Sequence, residues 1–376
     1  MPGLPTSRLL IRTAAVVLPI GIAANVAFSL ATTDRELLIS LSSVPVGSVL
    51  LAITLVVVPW VTQALRMTIW TRFVGHPIGM VTAIRIYAGG VLGSAVTPTA
   101  VGAGSIRWAL AVRWGVPGGT AASLFSVEAA EDLCFFLLAV PLALVLTSAR
   151  QSGLVGQAVE DAAFGVDVQV AIGAGVAVML VLLVWIGFRL ALGGRLGARR
   201  QKQARRLSVR TRVRVRRGLR DLRQTLALVT TQGKGWFVLT LVLTAIQWTA
   251  RYSVAAVVIV ALGETLQPVL YWLLSWLTYA VASPAPTPGA AGATEATFIL
   301  LHSPFVSFDI LPLASSVWRL LLFYLPATLA ALAYPLFVAR DVADERADLP
   351  RAEEGSKSTE RVGTEPHREG VPGEGF

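Results

Sequence analysis

Eight charged side chains lie inside stretches of sequence that are otherwise apolar, and they are the residues that could do chemistry. They are Arg107, Arg113, Glu128, Glu131, Asp132, Arg251, Glu295 and Arg319. An isolated charge is costly to bury, so each one needs a partner of opposite charge or a charged ligand. Glu128, Glu131 and Asp132 are spaced i, i+3 and i+4, which places them on one face of a helix.

Two interpretations of these charges remain open. In the first they form buried ion pairs that only hold the structure together, for example Arg107 with Glu128 and Glu295 with Arg319. In the second, some of them bind an anion. The sequence contains no Ser-His-Asp, Cys-His or paired-carboxylate pattern on a soluble scaffold, so we expect no catalytic residues. The sequence GAGSIR at 102–107 lacks the third glycine of a dinucleotide-binding motif, and we expect no cofactor.

A short motif occurs in each half of the chain, as TPTAVGAGSIR at 97–107 and as TPGAAGATE at 287–295. Proline and glycines break a helix there, although both motifs lie in long uncharged runs. Broken backbone at membrane depth is tolerated only where protein or water covers it, and one such break in each half indicates a transporter binding site. The alternative is that small residues recur because they pack membrane helices together.

Each break would begin a new helix, near Gly102 in the first motif and near Gly292 in the second. Free N–H groups at a helix start attract anions, above all phosphate. We therefore predict that the two motifs and the charges around them form one substrate-binding site. The predicted substrate-binding residues are Pro98, Gly102, Gly104, Ser105, Arg107, Glu128, Asp132, Arg251, Pro288, Gly289, Gly292, Glu295 and Arg319.

The composition is typical of an all-α polytopic membrane protein. Of the 376 residues, 55% are apolar and 14% are charged, and the mean hydropathy is +0.67. Ordinary soluble domains carry about 25% charged residues. The one cysteine, Cys134, and the three histidines, His76, His302 and His367, are too scattered to indicate a metal site.

Uncharged runs predict about six full membrane spans and two re-entrant hairpins, which makes eight hydrophobic segments. The full spans are 13–32, 44–65, 120–149, 168–188, 235–263 and 310–339, and the hairpins are 86–114 and 268–303. Residues 44–147 and 235–339 would then be two span-hairpin-span units in an inverted repeat. One alternative is eight simple spans. Another is a cleaved signal peptide in place of the first helix.

Residues 189–223 hold 14 Lys or Arg and a single acid. This charge favours a cytoplasmic loop, 189–234, which also contacts anionic lipid headgroups. Nucleic-acid binding is the alternative, and we expect none. Residues 341–376 have a net charge of −5 and few aliphatic residues, which predicts a disordered tail. The N-terminus, the loop and the tail would all lie on the cytoplasmic side of the cell (cytoplasmic) membrane.

Residues 80–147 and 245–339 resemble the flippase-like integral membrane family related to the transmembrane region of lysylphosphatidylglycerol synthases, a UPF0104-like group. The first match runs through AIRIYAGGVLGSAVTPTAVGAGSIR, WGVP and VEAAEDL, and the second through SPAPTPGAAGATEA and VWRLLLFYLP. Family members usually have Pro-Gly-Gly at the first motif, where this chain has Pro98-Thr99-Ala100. They also usually have Arg after the glutamate matching Glu128, where this chain has Ala129.

The resemblance implies a membrane protein that moves or handles lipid-linked molecules. The soluble aminoacyl-transfer domain of the full synthases has no counterpart in residues 341–376, so we do not expect lysyl-lipid synthesis. The favoured function is a lipid flippase or transporter, and not an enzyme, for an anionic or polyprenyl-phosphate-linked lipid. The alternative is a non-transporting subunit that scaffolds a lipid or cell-envelope glycan synthase, and such an enzyme would be its partner.

Overall fold

The computed structural model describes residues 7–40, 42, 44–97, 102–151 and 209–333. These residues form helices and turns and contain no β-strand, which confirms the predicted all-helical fold class. The predicted linking span 168–188, the tail 341–376 and the motif residue Pro98 lie outside the described residues. By its contacts the chain divides into a unit of residues 1–331, which holds nearly all of the described residues, and a unit of residues 332–376.

The helices follow one another closely along the described chain. They are α1 (Ser7–Thr32), α2 (Arg35–Ser40), α3 (Val46–Phe73), α4 (Met80–Val96), α5 (Gly102–Arg113), α6 (Gly118–Gln151), α7 (Val209–Gln232), α8 (Lys234–Ala261), α9 (Pro268–Ala282), α10 (Ala293–His302) and α11 (Leu311–Arg319). A 3₁₀ turn, Phe308–Ile310, precedes α11. A π-helical turn, Leu320–Tyr324, follows it, and helical backbone then continues to residue 333.

Five segments of the described chain are long and apolar enough to cross a membrane. They contain 21 to 30 residues, against the roughly 20 that a bilayer core requires. They are Arg12–Thr32, Val46–Phe73, Gly118–Thr147, Lys234–Ala261 and Phe308–Ala333. The apolar helices α4 and α9 have only 17 and 15 residues, so each is too short to be a typical span.

Helices α3 and α8 pack antiparallel. The end of α3 lies beside the start of α8, since a Cβ added at Gly233 would be 3.3 Å from the Phe73 ring. Further along, Thr62 lies 3.4 Å from Gln247, measured between Oγ1 and Oε1. Helix α6 starts at this same end, because Leu124 in its second turn packs in one cluster with Trp70 of α3 and Val229 of α7. We call this end of the bundle, where α3 finishes and α6 and α8 begin, the α7 end.

The short helices form two pairs that enter from opposite ends of the bundle. In the first pair, α4 follows the end of α3, and α5 returns to the start of α6, where Trp108 Nε1 donates to the Gly118 carbonyl at 2.9 Å. This pair therefore begins and ends at the α7 end. The second pair, α9 and α10, follows the far end of α8. There the Ser307 N–H donates to Glu264 Oε1 at 2.8 Å and joins the two ends of the pair.

The predicted basic loop is partly helical, because α7 covers residues 209–232 of it. Helix α7 packs against α6 and α8. Its last turns dock through Val229, which is buried in a cluster with Trp70 and Leu124. Apolar residues recur among the arginines of this segment, and the helix can therefore bury one face despite its charge. Residues 189–208 of the predicted loop lie outside the described part of the chain.

Aromatic side chains join α6, α8 and α9. Trp248 and Tyr252 of α8 stack at 5.4 Å between ring centroids, and Phe136 of α6 lies 5.1 Å from Trp248. Trp272 of α9 meets Tyr252 edge-on at 5.6 Å, and Trp276 lies 6.3 Å from Phe136. These five residues form what we call the aromatic cluster. It fixes the first helix of the second pair against two long helices.

Candidate functional site

Arg66 is the centre of a buried polar network between α3, α6 and α8. Its side chain is fully buried, and its Nε and Nη2 donate to Glu131 Oε2 at 2.9 and 2.7 Å. The same Nη2 donates to Asp132 Oδ1 at 3.1 Å. The sequence interpretation placed Arg66 at the border of the apolar run 44–65 and did not include it among the candidate residues. Helix α3 instead continues to Phe73, so Arg66 lies within the helix and its guanidinium is buried in the protein interior.

The Glu131 carboxylate of α6 is enclosed by hydrogen-bond donors from α3 and α8. Its Oε1 accepts from Trp70 Nε1 at 2.7 Å and from Thr240 Oγ1 at 2.6 Å, while Oε2 accepts from Arg66. Both oxygens are satisfied and the side chain is fully buried. Glu131 therefore holds α3, α6 and α8 together. Its neighbour Asp132 differs, since 31% of its side chain is exposed, although Oδ1 also accepts from Trp248 Nε1 at 3.0 Å.

The ion pair between Arg107 and Glu128, expected from the sequence, is present. Arg107 Nη2 donates to Glu128 Oε2 at 2.6 Å, and the guanidinium lies 4.7 Å from the centre of the Phe125 ring. The stem of Arg107 runs across Gly90 of α4, where an added Cβ would lie 2.6 Å from Arg107 Cγ. This pair thus fastens both helices of the first short pair to α6.

The ion pair between Glu295 and Arg319 is also present, at 3.1 Å between Oε1 and Nε. Arg319 is almost fully buried, donates through Nη2 to the Gly289 carbonyl, and lies 4.1 Å from the centre of the Phe323 ring. Gly289 has a φ of +58°, a conformation that suits glycine. Arg319 of α11 therefore holds the break between α9 and α10 in place.

The start of α10 is capped by the chain itself. Glu295 Oε2 accepts from the Gly292 N–H at 2.8 Å, and the Thr294 N–H donates to the Ala290 carbonyl at 3.0 Å. The sequence interpretation assigned the free N–H groups of this helix start to a bound anion. The Glu295 carboxylate already occupies one of them, because a side-chain acceptor three residues into a helix can reach back to its first residue.

At the first motif, the Gly102 N–H donates to Thr97 Oγ1 at 3.1 Å. Gly104 and Ser105 are exposed on α5, as is Pro288 in the second motif. Arg107 lies on the same helix, but its guanidinium points to Glu128. The structure thus places an ion pair at each motif, Arg107–Glu128 at the first and Glu295–Arg319 at the second. Asp132 belongs to the Arg66 network instead.

Arg251 has a different environment from the other arginines inside the bundle. Arg66, Arg107 and Arg319 each contact a carboxylate, whereas no carboxylate of the described residues lies within 4.0 Å of Arg251. Its guanidinium instead lies 5.3 Å from the centre of the Tyr279 ring of α9. A cation without a counter-ion at this position can attract an anion.

Trp318 of α11 lies next to this place. Its ring centre is 5.3 Å from that of Tyr279, the side chain is fully buried, and Nε1 has no hydrogen-bond partner among the described residues. A buried donor without a partner is costly and therefore suggests a ligand that supplies an acceptor. The sequence interpretation named Arg251 but neither Tyr279 nor Trp318, because an aromatic residue in an apolar helix carries no signal that separates packing from binding.

Histidine and cysteine side chains stand apart from these groups. His302 is buried, with Nδ1 2.8 Å from the Phe298 carbonyl, and Cys134 is half-buried. Within the described residues, no group of three or more His, Cys, Asp or Glu side chains could hold a metal ion.

The chain is similar to a known membrane-protein family and to a known membrane protein. The pattern of the family described as the lysylphosphatidylglycerol synthase TM region matches residues 11–330, which include both short helix pairs and all the charged groups above. A UPF0104 membrane protein of Archaeoglobus fulgidus is 26% identical over 271 residues, or 70% of this chain and 79% of that protein. The chain is thus a multi-pass membrane protein that belongs to the family of the lysylphosphatidylglycerol synthase transmembrane region.

Proposed function

We propose that this protein is a lipid flippase or transporter that moves an anionic or polyprenyl-phosphate-linked lipid between leaflets, without covalent catalysis. The observation that carries the proposal is Arg251, an arginine inside a candidate span that has no carboxylate partner among the described residues. Holding a charge in a membrane span costs several kcal/mol, so such residues usually serve a pathway or a ligand. A phosphate supplies both the countercharge for Arg251 and an acceptor for Trp318 Nε1.

The arrangement of helices supports binding near the midplane. We propose that α3–α6 and α8–α11 are the two units of an inverted repeat, since their short helix pairs enter from opposite ends. Substrate sites of such transporters lie near the membrane midplane, between the repeats. The count of six full spans and two re-entrant hairpins belongs to this proposal.

The ion pairs at the two motifs act as positioning contacts in this proposal. Arg107–Glu128 fastens the first short pair to α6, and Glu295–Arg319 fastens the second to α11. For either hairpin to move, its ion pair must break, or the helix that carries the other half of the ion pair must move with the hairpin. The remaining predicted binding residues, among them Gly104 and Ser105, would line the path of the lipid headgroup.

Orientation follows from charge. We propose that the α7 end lies in the cytoplasm, because loops rich in arginine favour that side of the membrane. Anionic headgroups would be attracted to it, at about 1 kcal/mol per basic residue near the surface. The N-terminus and the tail would lie on the same side of the cell membrane. Under this orientation α9 and α10 enter from outside.

The test is transport by purified protein in liposomes. Fluorescent phosphatidylglycerol and a fluorescent polyprenyl phosphate serve as substrates, with phosphatidylcholine as the uncharged comparison, and a membrane-impermeant quencher reports the leaflet. We expect the Arg251→Gln variant to move no anionic lipid. The variant should still elute as a monodisperse protein in size-exclusion chromatography, which shows that it folds. The matched control is Arg72→Gln, which alters an exposed arginine of α3 and should transport normally.

Two results would count against the proposal. The binding role of Arg251 is lost if Arg251→Gln transports the anionic lipids as fast as Arg72→Gln. If wild-type protein moves none of the three lipids, the non-transporting scaffold becomes the better interpretation, and binding to envelope-synthesis enzymes should then be measured.

A further inference from the structure

A histidine is buried where α10 packs against α9 and α11, at the end of the bundle opposite α7. His302 is the last residue of α10, its side chain is fully buried, and the exposed residues 303–304 follow it directly. Its ring stacks on that of Phe298 at 3.9 Å between centroids, and it lies 6.4 Å from the ring of Tyr271 on α9. Phe298 in turn packs on Trp318 of α11 at 4.7 Å. The imidazole therefore lies inside the contact that holds α10 against the rest of the bundle.

The surroundings of the two ring nitrogens suit a neutral His302. Nδ1 lies 2.8 Å from the Phe298 carbonyl oxygen, and because a carbonyl only accepts hydrogen bonds, Nδ1 carries the hydrogen. Nε2 is then a bare acceptor, and it has no hydrogen-bond partner among the described residues. A second proton would bind Nε2 and would create a buried charged donor with nothing to accept from it. The docked position of α10 therefore suits the neutral ring and disfavours the protonated one.

No carboxylate oxygen of the described residues lies within 4.0 Å of His302 to compensate such a charge. The titratable or charged groups of the neighbouring helices and turns are Tyr271, Glu264, Asp309, Glu295 and Arg319. The last two form the ion pair at the second motif. The Tyr271 hydroxyl donates to the Thr265 carbonyl at 3.2 Å, and Glu264 accepts from the Ser307 N–H. Each of these four groups thus has a partner other than the imidazole, and Asp309 is exposed.

We propose that His302 is a proton-binding site that controls the second helix pair, and that a proton taken from water by Nε2 releases α10 from α9 and α11. The inference goes beyond the proposed function, because it concerns a site other than Arg251 and needs no bound lipid. The contact is complete above about pH 6.5, where an accessible imidazole is neutral. It weakens as the pH falls below that value, because the undocked ring binds the proton better than the docked ring does. Under the proposed orientation, acid outside the cell would favour opening toward the outside.

The accessibility of a buried cysteine next to this contact tests the inference. Val306 is 5% exposed and packs in one apolar cluster with Phe298, so Val306→Cys should react with a maleimide only when α10 undocks. The variant is made in a Cys134→Ser protein and measured in detergent. Phe308→Cys, at a position that is 69% exposed, is measured at the same pH, and the ratio of the two rates removes the pH dependence of the thiol. We expect this ratio to rise about 30-fold from about pH 7.5 to about pH 5, the factor by which proton binding with a pKa of about 6.5 favours the undocked ring.

Variants of His302 and of the neighbouring acids identify the group that binds the proton. His302→Asn keeps an N–H donor near the Phe298 carbonyl but binds no proton, so its ratio should change less than about twofold over the same pH range. His302→Phe keeps a ring against Phe298 and should show the same small change, even if asparagine disturbs the docking of α10. Glu264→Gln and Asp309→Asn remove the acids of the adjoining turns and should keep the full pH dependence.

Three results would overturn the inference. A ratio that changes less than about threefold while His302 is intact would show that proton binding does not control docking. An equal pH dependence in the His302 variants would assign the effect to another group, as would its loss in Glu264→Gln or Asp309→Asn. Arg251→Gln should leave the pH dependence in place, because the two sites are separate, and loss of the pH dependence in that variant would contradict the inference. Failure of lipid transport in liposomes would leave these expectations unchanged, so the proton site and the proposed function are tested independently.

Discussion

Replacing Arg66 with methionine should destabilise the protein more than any change at an exposed arginine. The substitution keeps much of the side-chain volume but leaves Glu131 fully buried without a countercharge. Removing one partner of a buried ion pair typically costs about 3–5 kcal/mol. Asp132 adds little to this, because 31% of its side chain is exposed and water screens it. At roughly 2–4 °C per kcal/mol, the expected fall in Tm is about 10 °C.

Thermal unfolding in one detergent, followed by circular dichroism, measures this effect. The control is Arg72→Met on the same helix, where the exposed side chain should contribute less than about 0.5 kcal/mol. The double variant Arg66→Met with Glu131→Gln should recover at least half of the loss, because the neutral amide still offers an acceptor to Trp70 and Thr240. Equal Tm values for Arg66→Met and Arg72→Met would refute the reasoning, as would a double variant less stable than Arg66→Met.

Three further outcomes follow from the second motif and from the two ends of the bundle. Gly289→Ala should lower stability by about 1–3 kcal/mol in thermal unfolding, because its φ is +58° and the new Cβ would lie 2.1 Å from an aromatic ring of the π-helical turn. The charge exchange Glu295→Arg with Arg319→Glu should fail to restore transport or stability, since the two side chains also bind different backbone groups. Cysteines that replace Arg220 and Phe308, both exposed, should react with an impermeant reagent from opposite sides of the membrane.

Each of these outcomes has a matched comparison. A Cβ added at Gly104 would have no atom within 4 Å, so Gly104→Ala should leave the stability unchanged. An equal loss of stability for Gly104→Ala and Gly289→Ala would contradict the steric argument. The exchange Arg107→Glu with Glu128→Arg should recover part of the stability lost in either single variant, because Glu128 contacts Arg107 without capping a helix. Labelling of both engineered cysteines from one side would disprove the assigned ends.

The sequence predicted those parts of the fold that depend on local patterns. Uncharged runs identified the long helices, and the motif prolines and glycines identified the breaks after α4 and α9. The ion pairs Arg107–Glu128 and Glu295–Arg319 were named correctly. In each pair one residue lies in the apolar helix that follows a break, and its partner lies in the next apolar helix along the chain. Burial of a charge in such a segment leaves few candidates for its partner.

Arg66 was missed because a charge at the end of an apolar run usually marks the membrane border. Its burial depends on α6 and α8, which are distant in sequence and whose positions no local pattern gives. One signal was available: three acids share a face of α6, and Arg107 can neutralise only one of them. The same limit applies to Tyr279 and Trp318. Tyr279 contacts Arg251, and Trp318 contacts Tyr279, only because α8, α9 and α11 pack together in the folded protein.

The aromatic cluster gives the protein a built-in optical signal. The protein has ten tryptophans, and three of them, Trp248, Trp272 and Trp276, lie in this cluster together with Tyr252 and Phe136. Rings fixed at such distances in an asymmetric setting produce near-ultraviolet circular dichroism, which is lost when tertiary packing loosens. A displacement of α9 against α6 and α8 would thus change the near-ultraviolet spectrum while the far-ultraviolet helix signal stayed constant. Opening of the second helix pair can be followed in this way on the unlabelled, unmodified chain.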